Sequence, residues 1–115
     1  DDSLVRGTTS RKIIQLIKEA GASSVHMRIA CPPTKGSCFY GIDTPDVGDL
    51  LAASHGVDEI ARFIGADSLG YLSIEGLHES VKDGGTRYCD ACFSGRYPVP
   101  VRDGAQRPLM LTEPD

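Results

Sequence analysis

Between Thr9 and Ala20 the apolar residues Ile13, Ile14, Ile17 and Ala20 recur at helical spacing, while Arg11, Lys12, Gln15, Lys18 and Glu19 fill the other face. This pattern predicts an amphipathic helix stopped by Gly21. The period then changes from 3.6 to two. Val25, Met27 and Ile29 alternate with His26 and Arg28 over residues 24–30, which predicts a half-buried strand and makes His26 a surface or packing residue. Residues 31–45 have no period and are punctuated by Pro32, Pro33, Gly36, Gly41 and Pro45, so they read as a loop held by tertiary contacts.

Thr44-Pro45 has the chemistry of a helix start, with Thr as cap, Pro at the first helical position, and Leu50, Leu51 and Ala53 as the apolar side. Val57, Ile60, Ala61 and Ile64 share a face of a further helix ended by Gly65, and His55 between these helices reads as a capping or surface residue. Ser68 to Leu72 is short and apolar and predicts a second strand. Ser73 then caps a helix carrying Ile74, Leu77 and Val81, which Asp83-Gly84-Gly85 breaks. From Ser94 to Asp115 there is little periodicity, and an extended or poorly ordered tail is expected. The order of elements is that of an α/β fold, with a strand-to-helix turn as the natural ligand site.

That turn falls at the start of the chain, where Asp1-Asp2-Ser3-Leu4-Val5-Arg6-Gly7-Thr8-Thr9 runs into the first helix. Ionised Asp1 and Asp2 offer hard oxygen acceptors suited to a sugar diol or a magnesium ion. Gly7 permits close backbone approach, and Thr8, Thr9 and Ser10 bring hydroxyls and unsatisfied amides to a helix N-terminus, which favours a phosphate. The bland alternative is a solvated terminus in which Thr8, Thr9 or Ser10 merely caps the helix.

Composition narrows the class. With 115 residues, 40% hydrophobic and 24% charged, the chain suits one globular domain with a modest core. Its net charge of −4, with Lys and Arg scattered, argues against nucleic-acid binding, and no twenty-residue apolar run or secretory signal is evident, which argues against a membrane role. The chain opens on Asp, and the apolar strand expected before such a loop does not precede it, so a piece of a larger protein is expected. Four cysteines, Cys31, Cys38, Cys89 and Cys92, include a Cys-x-x-Cys pair that one turn can present to a single metal centre. Composition favours a four-cysteine zinc site. An iron–sulfur cluster, redox chemistry and four unligated thiols remain open, although the pair lies in a loop near the chain's end and not in a thioredoxin-like setting.

The opening loop resembles the 5-phosphoribosyl-1-pyrophosphate (PRPP) loop of type I phosphoribosyltransferases, and its Ser-Leu-Val-Arg-Gly-Thr-Thr-Ser form is most similar to the glutamine-dependent amidophosphoribosyltransferases. The resemblance extends through Val25-His26-Met27-Arg28-Ile29, Cys38-Phe39-Tyr40-Gly41-Ile42-Asp43-Thr44, Ile64-Gly65-Ala66-Asp67-Ser68-Leu69, Leu72 to Leu77 and Cys92-Phe93-Ser94-Gly95-Arg96-Tyr97-Pro98. It implies the C-terminal part of a type I phosphoribosyltransferase fold over residues 1–82 and a cysteine-bearing extension over 83–115.

The implied reaction converts PRPP, glutamine and water to 5-phosphoribosylamine, glutamate and pyrophosphate, the first step of purine synthesis. Ammonia would come from an N-terminal glutaminase domain of the same protein, absent from these residues. Asp1, Asp2, Ser3, Arg6, Gly7, Thr8 and Thr9 would bind PRPP, and Asp1 and Asp2 would also hold magnesium. No catalytic residue is assigned, and the 115 residues alone are expected to be inactive. Similarity to the iron–sulfur branch implies a four-iron, four-sulfur cluster on Cys38, Cys89 and Cys92, with its fourth ligand upstream of residue 1 and Cys31 a bystander. The family further implies a cytoplasmic homo-oligomer, such as a homotetramer. Alternatives of other kinds are a small zinc module and another PRPP-binding protein.

Overall fold

The computed structural model describes residues 1–101. The sequence expectations for the rest of the tail lie outside the described residues. In chain order come helix α1 (Thr8–Glu19), strand β1 (His26–Ile29), a 3-10 turn (Val47–Asp49), α2 (Leu51–Ser54), α3 (Val57–Ile64), β2 (Ser68–Tyr71), α4 (Ile74–Glu79), a second 3-10 segment (Lys82–Gly85) and α5 (Ala91–Ser94). The two strands pair in parallel, with His26 opposite Ser68 and Ile29 opposite Tyr71. A parallel pair needs a crossover, and α2 and α3 supply it.

The core forms where the helices meet the inner face of this pair. Leu4, Ile14, Ile29, Ile60 and Ile64 make one buried cluster, flanked by Val25, Met27, Leu51 and Leu69. In β1 the outer residues His26 and Arg28 are exposed while Ile29 is buried, as the alternation predicts. On the outer face His26 Nδ1 lies 2.8 Å from Ser68 Oγ, which also accepts a bond from Arg28 at 3.0 Å. At the start of β1 the Val25 N–H donates to the Asp67 carboxylate at 2.7 Å, and Lys18 Nζ stands 3.4 Å from the same carboxylate. The backbone hydrogen bond, helped by Lys18, holds Asp67 below the usual carboxylate range.

Three local expectations give way to tertiary contacts. The apolar face of α1 is only partly used, since Ile14 is buried while Ile13 and Ile17 stay 40% and 42% exposed. A two-stranded sheet is too narrow to cover the whole stripe. Thr44 and Pro45 do not begin a helix, because Thr44 Oγ1 accepts the Cys38 N–H at 2.9 Å and the Pro45 carbonyl accepts Ser37 Oγ–H at 2.9 Å. The helix starts later, at Leu51. Cys92 sits in the four-residue α5, not in a loop, and this helix is too short for periodicity to reveal it. The Ser73 cap is as expected, with its Oγ accepting the Gly76 N–H at 2.9 Å, but α4 ends before Val81.

Candidate functional site

The first ten residues wrap a cavity of about 420 Å³ lined by Asp1 to Ser10 and Pro45. All seven residues expected to bind PRPP therefore face one space. Backbone bonds fix the loop on both sides. The Asp1 backbone nitrogen donates to the Arg28 carbonyl at 2.9 Å, the Asp1 carbonyl accepts the Ala30 N–H at 2.9 Å, and the Val5 carbonyl accepts the Leu51 N–H at 3.1 Å. The acidic end of the loop thus lies beside β1, and its middle is tied to α2. Leu4 points into the core, 2% exposed, while Asp1, Asp2 and Ser3 remain exposed.

Gly7 is the pivot. It is the N-cap of α1, buried, with a left-handed φ of 76°, and no side chain caps the helix. Capping by Thr8, Thr9 or Ser10, the bland alternative, is therefore not what the fold shows. The first-turn amides of Thr8, Thr9 and Ser10 have no intrahelical acceptor by helix geometry, and they open on the cavity with the positive end of the dipole. A Cβ at Gly7 would stand 2.7 Å from Leu51 Cδ1 and 3.2 Å from both Ile64 Cγ2 and Phe63 Cε1. The close approach of loop to core needs glycine on both counts.

Arg6 is the only side-chain cation among the described residues that line the cavity, and its guanidinium lies 3.7 Å from Asp49 Oδ2. Asp1 and Asp2 supply hard oxygens at the opposite end of the loop, with Asp1 Oδ1 also accepting the Asp2 N–H at 3.0 Å. This donor chemistry fits magnesium.

Cys92 lies within electrostatic reach of Cys31, Cys38 and Cys89. Burial pushes the Cys92 thiol above its ordinary range, and neighbouring Cys38, Cys89 and Asp90 push it the same way. Cys31 is likewise raised, by burial first and then by Cys92 and Asp2. Close by, the Tyr71 hydroxyl is buried without a partner among the described residues.

Tyr97 fastens the Cys38 segment to the chain after Cys92. Its hydroxyl donates to the Ser37 carbonyl at 3.0 Å and accepts the Phe39 N–H at 3.3 Å, and its ring packs edge-on to Tyr40 at 4.9 Å. A Cβ at Gly36 would lie 4.0 Å from the Cys92 carbonyl. On the far side His78 Nε2 and Asp90 Oδ2 are 2.9 Å apart, and Asp90 Oδ1 accepts the Ser94 hydroxyl at 2.8 Å, anchoring the turn between Cys89 and Cys92.

Among the described residues no three of His, Cys, Asp and Glu converge to hold one metal ion, an observation that does not choose between a zinc centre and an iron–sulfur cluster. A four-iron cluster spreads its thiolates over separate irons and needs cysteines in one neighbourhood, not around one point. Thiolates are the soft donors that such a cluster takes.

Sequence reasoning found the loop but missed Pro45, Asp49 and Tyr97. No local signal marks them, since each acts on a partner distant in sequence. Among the described residues no helix is long and apolar enough to cross a membrane.

No family model matches the chain. Relatives do. The chain is 58% identical over 99 residues to the chloroplastic amidophosphoribosyltransferase of Vigna aconitifolia, covering 86% of this chain and 20% of that protein. It is 56% identical over 103 residues to the amidophosphoribosyltransferase of Archaeoglobus fulgidus, covering 88% and 22%. Among solved structures, the Bacillus subtilis glutamine PRPP amidotransferase complexed with ADP and GMP superposes with a TM-score of 0.78 at 48% identity, over 90% of this chain and 24% of that one. The chain thus spans about a fifth of the length of the curated relatives it matches. Sequence identity and superposition agree with the loop, the parallel strand pair and the α/β order, and the chain belongs to the amidophosphoribosyltransferase family.

Proposed function

We propose that these residues form the PRPP-binding loop and the cysteine-bearing part of an enzyme that makes 5-phosphoribosylamine, glutamate and pyrophosphate from PRPP, glutamine and water. The observation that carries this reading is the uncapped N-terminus of α1 opening on a cavity whose other end is Asp1 and Asp2. That pairing matches a ligand with a phosphate at one end and a diol at the other. The amides of Thr8 to Ser10, the hydroxyls of Thr8 and Thr9, and Arg6 hold the 5-phosphate. Asp1 and Asp2 accept hydrogen bonds from the ribose hydroxyls, fixing the ring, and they stabilise positive charge that develops at C1 as pyrophosphate leaves. Asp1 and Asp2 would hold magnesium, which would supply charge neutralisation for the leaving group.

Residues 1–82 are assigned to the transferase portion and 83–115 to the cysteine-bearing extension. Cys38, Cys89 and Cys92 hold a four-iron, four-sulfur cluster whose fourth ligand lies elsewhere in the protein. Its contribution is structural, since Cys38 and the Cys89–Cys92 pair come from segments remote in sequence. Ammonia delivered by a glutaminase domain, assembly into a homo-oligomer and a cytoplasmic setting rest on the family resemblance.

Pyrophosphate release by the full-length protein should require both PRPP and glutamine. Asp1→Asn or Asp2→Asn should raise the PRPP requirement or cut turnover at least tenfold with thermal stability unchanged, since both carboxylates are exposed and face ligand. Unchanged kinetics with lowered stability would reject these roles.

A further inference from the structure

We propose that Asp49 is an intramolecular counterion that competes with the substrate's 5-phosphate for Arg6 and thereby sets the affinity of the loop. This rests on the PRPP reading above and concerns the same site. Arg6 is the only side-chain cation among the described cavity-lining residues, so its charge is the main side-chain attraction for an anion entering there. Asp49 does not line the cavity, yet its Oδ2 is 3.7 Å from the guanidinium.

Two features make this contact an exchangeable pair and not a fixed strut. At 3.7 Å it is longer than a charge-assisted hydrogen bond, and the side chains are 56% and 58% exposed, so water and salt compete for both partners. The position of Asp49 is nevertheless fixed. Its N–H donates to the Asp46 carbonyl at 2.8 Å, the next residue Leu50 is buried, and Leu51 N–H is bonded to Val5 of the loop itself. The backbone that carries this carboxylate is thus tied to the phosphate-binding loop, and the carboxylate offsets Arg6 until a dianionic phosphate displaces it. A phosphate offers bidentate geometry and a second charge, so exchange favours the ligand. Asp49 acts through Arg6 and is a positioning residue, not a catalytic one.

The test is the Kd for PRPP in the full-length protein, at constant magnesium and low salt, for wild type, Asp49→Asn, Arg6→Gln and the double variant. Release of an exposed ion pair should tighten PRPP binding by roughly two- to five-fold in Asp49→Asn. The gain should shrink as salt is raised, because such pairs are screened. Asp49→Glu, which keeps the charge, should bind as wild type. In the Arg6→Gln background the Asn substitution should change nothing. Weaker or unchanged binding by Asp49→Asn would overturn the proposal, as would equal tightening with and without Arg6. Failure of the wild type to bind PRPP at all would instead reject the PRPP reading, and this proposal with it.

Discussion

Gly7→Ala offers a test in which backbone strain and packing can be separated. At φ 76° an alanine pays for the left-handed conformation, about 1–2 kcal/mol. Its Cβ would also enter contact at 2.7 Å with Leu51 Cδ1 and at 3.2 Å with Ile64 and Phe63, and overpacking of this kind costs a further ~1–3 kcal/mol. Gly65 is the internal control. Its φ is 79°, but the nearest atom to an added Cβ is Ile14 Cγ2 at 3.9 Å, an ordinary contact. Gly65→Ala should therefore cost about 1–2 kcal/mol and Gly7→Ala about 2–5 kcal/mol, both read from urea unfolding midpoints at constant m. The excess at Gly7 measures how tightly the opening loop is seated on α2 and α3. If Gly7→Ala proved no more destabilising than Gly65→Ala, the seating described above would be wrong.

Cys38→Ser, Cys89→Ser or Cys92→Ser should bleach the brown colour of anaerobically prepared full-length protein and remove its iron and sulfide, whereas Cys31→Ser should leave both; one zinc per chain, lost on changing any of the four, would reject the cluster. Tyr97→Phe should cost about 1–2 kcal/mol, since its hydroxyl bridges Ser37 and Phe39, and should speed iron loss to a chelator, while an unchanged rate would show that this bridge does not hold the Cys38 segment. Asp67 titrates below the usual range when folded, so the stability it contributes is present above the unfolded carboxylate pKa and lost as pH falls through the lower folded one. Asp67→Asn should flatten that acid limb, and an unchanged pH profile of the unfolding midpoint would refute the assignment.

Much of the fold was legible because it is local. The stripe of Ile13, Ile14 and Ile17, the alternation through Met27 and Ile29, and the Ser73 cap each announce their element within a few residues. The loop that lines the cavity was legible for the same reason, since Asp1 to Ser10 is one contiguous string folded around one space. What escaped was set by partners far along the chain. Thr44 has cap chemistry, but its hydroxyl is taken by Cys38, and Pro45 is drawn to the loop's cavity. Tyr97 meets Ser37 and Phe39 across about sixty residues, with nothing nearby to mark it. The pairing of Arg6 with Asp49 likewise depends on where α2 docks, which no periodicity encodes.

The most direct measurement of the central claim is a crystal structure of the full-length protein with PRPP and magnesium. The 5-phosphate should lie against the N-terminus of α1, within hydrogen-bond reach of the amides of Thr8 to Ser10, with the ribose hydroxyls on Asp1 and Asp2 and Arg6 turned from Asp49 toward the phosphate. PRPP bound elsewhere, or bound here with its phosphate away from those amides, would contradict the assignment of this loop.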